Sequence, residues 1–110
     1  MAINTNVSRS VHQSILAHLR TLRGSLDEAR AALLHFKDDR VDRDKLEPAA
    51  RRVDDLMNMF ATGLQDPAQA LVWMGGIQSG VGQVVNPKAA AALRAAGVEI
   101  AALIAVMQAI

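Results

Sequence analysis

Seven apolar residues in the first third of the chain, Ile15, Leu19, Leu22, Leu26, Ala29, Leu33 and Phe36, follow one another at alternating steps of four and three. On an α-helix, with about 3.6 residues per turn, that spacing gathers all seven into one narrow seam of the kind that packs against another helix. On a strand, where successive side chains alternate between faces, the same residues would scatter over both sides. Arg20, Arg23, Asp27, Glu28, Arg30 and Lys37 all fall off the seam. The spacing predicts a helix over 7–37. Gly24-Ser25 leaves a second start open, because Ser25 and Glu28 match a capping box. The seam runs through Gly24 without a break and favours one helix, bent or straight there.

The segment Asp38 to Lys45 is a dense run of mixed charge and reads as a solvated turn. It lacks the central glycine and terminal glutamate of a calcium loop. A second stripe, Leu46, Ala49, Val53, Leu56 and Phe60 with Met57 and Leu64 beside it, predicts a helix over 46–63. Glu47-Pro48 lies near its start, and Gly63 stands where a left-handed cap would end it. Asp66-Pro67 and Asn86-Pro87 each place an N-cap residue before a proline at the first helical position. They predict helices over 67–85 and 87–110. No useful alternation of strand period and no solenoid-length repeat appears. The expected fold is all-α: a single domain, 1–110, built as an antiparallel bundle or hairpin array of about four helices.

Charge divides the chain unevenly. Residues 1–55 hold 19 of the 23 charged side chains, and residues 56–110 hold only Asp66, Lys88, Arg94 and Glu99. Apolar residues make up 51% of the chain, while a domain this small buries only about two thirds of its unfolded surface. Part of the low-charge half is therefore expected to be covered by a partner or a second copy. In the last segment, Leu93, Ala96, Ile100, Leu103, Met107 and Ile110 form a helical stripe, and Ile104 and Val106 lie off it. A helix apolar on more than one side belongs in a core or an interface. The uncharged run after Glu99 is 11 residues, short of the roughly 20 that a membrane span needs.

Gly75, Gly76, Gly80 and Gly82 crowd into eight residues, although each costs about 1 kcal/mol relative to alanine inside a helix. The segment has no Lys-Ser/Thr ending and no preceding strand, so it is not a phosphate-binding loop. Gly76 and Gly80, four apart, would make a smooth face on which another backbone can come close. A loop or kink splitting the helix near Gly75 is the other possibility, and both stay open. Trp73 reads as a core or interface anchor beside this small-residue face.

Residues able to carry chemistry are sparse. There is no cysteine. His12, His18 and His35 do not pair at the four-residue spacing of a helical metal site, and the first 26 residues hold no carboxylate to orient His12 or His18. Asp54 and Asp55 are adjacent and diverge on a helix. Serine-nucleophile motifs are missing. No catalytic, cofactor or metal site and no small-molecule ligand is expected. A net charge of +1 and only three aromatics, Phe36, Phe60 and Trp73, argue against nucleic acid as a partner. Met1 to Ser10 contains no apolar run flanked by positive charge, so the expected location is cytoplasmic, or exported without a cleavable signal.

The opening residues Ala2-Ile3-Asn4-Thr5-Asn6-Val7-Ser8 resemble the start of bacterial flagellins, which often begin with an INTN-type segment leading into a long amphipathic helix. The likeness covers seven of 110 residues. It implies a small secreted or filament-associated motility protein whose terminal helix packs into an assembly, and it transfers no functional residue. Taken together, the expectation is a non-catalytic helical protein that assembles with other proteins, chiefly with itself, through its low-charge C-terminal half. A structural or secreted subunit of a bacterial or phage assembly fits that description. The interface would use Trp73, Gly76, Gly80, Leu93, Ile100, Leu103, Ile104, Met107 and Ile110. The alternative is a small adaptor or chaperone that offers a groove to a partner helix.

Overall fold

The computed structural model describes residues 5–33, 40–61 and 67–109. Of these, 93% are helical, and no strand occurs among them. Four helices follow in order: α1 (Thr5–Ala32), α2 (Arg40–Ala61), α3 (Pro67–Gly82) and α4 (Ala90–Gln108), with a 3-10 turn, Pro87–Ala89, opening the last. Each helix packs against the next, and α4 closes the ring against α1. His12 meets Phe60 and Arg23 meets Asp54, so α1 and α2 run antiparallel. Arg52 with Trp73, and Ala49 with Gly80, set α2 against α3 in the same way. The result is an up-and-down four-helix bundle of 50 × 19 × 18 Å.

The seam of α1 is the spine of the core. Ile15, Leu19, Leu22, Leu26, Ala29 and Leu33 are all fully buried. Leu46, Val53 and Leu56 from α2, Met74 and Ile77 from α3, and Ile100, Leu103 and Met107 from α4 close around it. Helix α1 passes through Gly24 without a break. Ser25 lies inside the helix, 8% exposed, and does not cap a new one. The predicted extension of α1 over 34–37, with Phe36, falls outside the described residues, as do Gly63 and Leu64.

Boundaries differ from expectation at several ends: α1 starts earlier, at Thr5, and α4 becomes α-helical at Ala90 after the 3-10 turn. Helix α2 begins at Arg40, not Leu46, so Arg40 to Lys45 are helical where a turn was expected. Opposite charges three and four apart make a charge-dense segment a competent helix surface. Lys45 lies 3.6 Å from Asp42, and Glu47 lies 2.7 Å from Arg51. Pro48 consequently sits in the helix interior, where its ring removes one N–H from the backbone ladder. Helix α3 ends at Gly82, three residues earlier than predicted, and is continuous through Gly75 and Gly76. Its buried residues Ala70, Met74, Ile77 and Val81 hold it helical against the low propensity of glycine. The Asn86-Pro87 signal works as expected: the Asn86 side chain accepts a hydrogen bond of 3.0 Å from the Lys88 amide.

Candidate interaction surfaces

The outer surface has two characters, and the division follows the helices. On α1 and α2 it is laced with ion pairs. Arg23 donates to Asp54 across the two helices at 3.0 Å and also pairs with Asp27 on its own helix. Burial opposes the charge on Arg23, but the hydrogen bond to Asp54 and the nearby carboxylates outweigh it, and its pKa is raised above the usual arginine value. On the other side, α3 carries no charged residue at all. Helix α4 carries two, Arg94 and Glu99. Glu99 is taken up by the bundle itself: its Oε2 accepts from Nδ1 of His18 at 2.6 Å. The three large apolar side chains that stand exposed among the described residues are Val72, Val85 and Val98, at 68%, 82% and 69%.

The residues expected to form an interface separate into three groups. Ile100, Leu103 and Met107 are 1%, 0% and 1% exposed and line the chain's own core. Leu93 and Ile104 flank that core half-buried. Trp73, Gly76 and Gly80 lie along the α2–α3 junction. Ile110 is outside the described residues.

Helix α4 also bears an outward stripe that the sequence reading did not single out. Ala91, Ala95, Val98, Ala101 and Ala105 are all exposed, and Arg94 is exposed among them as the one charge on this face. Their steps of 4, 3, 3 and 4 trace a second helical face opposite the buried one. The available signal was the run of alanines interleaved with the core stripe. By length and composition, Pro87–Gln108 is apolar enough to cross a membrane, and only 22% of its most apolar 18-residue window is buried in the bundle.

Between α2 and α3 runs a groove of about 430 Å³. Its α2 wall is Lys45, Pro48, Ala49 and Arg52, and its α3 wall is Val72, Trp73, Gly76, Ile77 and Gly80. At Gly80 the helices touch: an added Cβ would lie 3.7 Å from both the Ala49 Cβ and the Lys45 carbonyl oxygen. Gly76 is exposed, and an added Cβ there would meet nothing within 4 Å. The guanidinium of Arg52 sits over the Trp73 ring, 4.6 Å from its centre, a cation–π arrangement. A second cleft, of about 490 Å³, lies among Asp27, Arg30, Arg43, Asp44 and Glu47, where charges of both signs offset one another. Among the described residues, no group of three or more His, Asp or Glu side chains is placed to hold a metal ion.

Fold and surface together define a small up-and-down helical bundle, charged on one side and nearly uncharged on the other. Comparison of the chain with protein-family models, with curated proteins and with solved structures finds no match.

Proposed function

We propose that this chain is a helical assembly protein and that a second copy covers the outer face of α4 and the adjoining part of α3. The outward stripe Ala91, Ala95, Val98, Ala101 and Ala105 is the observation that carries this. An exposed helix face of small apolar residues gains nothing from water and lets another helix approach closely. With no charge on α3 and only Arg94 unpaired by the bundle on α4, the face has little means of choosing a foreign partner by electrostatics. A copy of itself, related by a two-fold axis, matches it automatically. Helix α4 is about 28 Å long at 1.5 Å per residue, and the bundle is 19 Å wide. One such face on each copy buries on the order of 1,000 Å² in total, the lower end for specific interfaces. The flagellin-like opening, Ala2 to Ser8, suits the same role in a larger assembly.

Size-exclusion chromatography with light scattering tests the proposal. The parent chain is expected at a defined multiple of 11.8 kDa. Val98→Glu is expected to return it to the single-chain mass with helicity intact, because Val98 touches little within the bundle. A parent that stays at the single-chain mass at every concentration, or that partitions into lipid vesicles instead, would refute self-assembly.

A further inference from the structure

The groove between α2 and α3 has a different chemistry from the α4 face. We infer that it is a docking site for an amphipathic helix of another protein, one that carries two acidic side chains seven residues apart. Lys45 and Arg52 stand on its α2 rim, and no acidic residue lines it. They are separated by seven residues, two helical turns, which is about 10 Å along the axis. Within the chain Lys45 Nζ is 3.6 Å from Asp42, and Arg52 Nη1 is 3.5 Å from Asp55 while its guanidinium lies over the Trp73 ring. An ammonium carries three N–H donors and a guanidinium five, more than these contacts use. The floor between them is apolar, formed by Ala49 and Ile77 with Gly80.

Gly76 gives the groove its depth. Its missing side chain relieves no contact inside the molecule, yet glycine there costs about 1 kcal/mol of helix propensity. The space it leaves admits a neighbouring backbone. A helix laid along the groove would set residues i and i+7 beside Arg52 and Lys45, and small or apolar residues at i+3 and i+4 over Gly76 and Gly80. Trp73 and Val72 would close over its flank. This inference does not rest on self-assembly through α4.

Trp73 is the only tryptophan in the chain, so its emission reports on the groove directly. The probe is a synthetic helical peptide of alanine and leucine with two glutamates seven residues apart, titrated into the full chain. A saturable change in Trp73 emission is expected. Gly76→Leu should weaken the interaction by about tenfold or more, since the new side chain occupies the peptide's place. Circular dichroism should show that variant still folded, because a Cβ at this position meets nothing within the chain. Lys45→Glu combined with Arg52→Glu should reverse the preference towards the same peptide with lysines in place of glutamates. The titration should give the same result in the Val98→Glu background, so loss of peptide binding and loss of self-assembly are read apart. The inference is overturned by an unsaturable response, by equal binding to Gly76→Leu, or by indifference to the sign of the peptide's charge. It is equally overturned if anionic phosphatidylglycerol vesicles shift the emission and the peptide does not.

Discussion

His18 and Glu99, 81 residues apart in the chain, are joined by a hydrogen bond of 2.6 Å. A carboxylate can only accept, so Nδ1 of His18 is the donor. Both side chains keep contact with solvent, 38% and 20% exposed, which screens the pair and holds its worth near the surface range. Glu99→Ala is expected to lower stability by about 1 kcal/mol in urea titration. Adding His18→Ala to that background should cost little more, as a double-mutant cycle would reveal. Core positions behave differently. Leu103 is fully buried, and Leu103→Ala should cost about 2–5 kcal/mol by the same measurement. Neither the partner of His18 nor the owner of the surface opposite Leu103 could be read from the chain. Periodicity identifies which face of a helix is apolar; it does not tell whether the neighbour belongs to the same molecule.

The packing idea and the broken-helix idea make opposite demands on Gly80, and here the neighbouring backbone is α2 of the same chain. Gly80→Leu must push aside Ala49 and the Lys45 carbonyl, and overpacking of this kind costs about 1–3 kcal/mol. The melting temperature should fall while the mass stays unchanged. Gly80→Ala places a methyl at ordinary contact distance, 3.7 Å, and Gly76→Ala places one in open space. Each should raise stability by up to about 1 kcal/mol through helix propensity. Helices α1 and α4 were legible because their seams are long and regular, and the start of α4 because Asn86-Pro87 is a specific signal. The first turns of α2 were not legible: charge density alone cannot separate a solvated turn from a helix stitched by pairs such as Asp42 with Lys45. Nor does any local rule reveal that Met74, Ile77 and Val81 would hold a glycine-rich segment straight.

For the whole molecule, one core shared by four helices should melt as a single cooperative unit. If a second copy binds only the folded chain, the midpoint should rise with protein concentration, by mass action. A midpoint independent of concentration over a hundredfold dilution would argue against a folded-state partner of the same kind. The ring closes only when α4 lies against α1, and this has a consequence for synthesis. The seam from Ile15 to Leu33 leaves the ribosome early, but one of its two flanking helices ends at Gln108. At roughly 5–20 residues per second, translation needs about 4–15 seconds to carry the chain from Ala32 to there. Throughout that interval six core side chains of α1 lack half of their covering. The nascent chain is most open to capture by chaperones, or by a sister chain on the same message, before its last helix emerges.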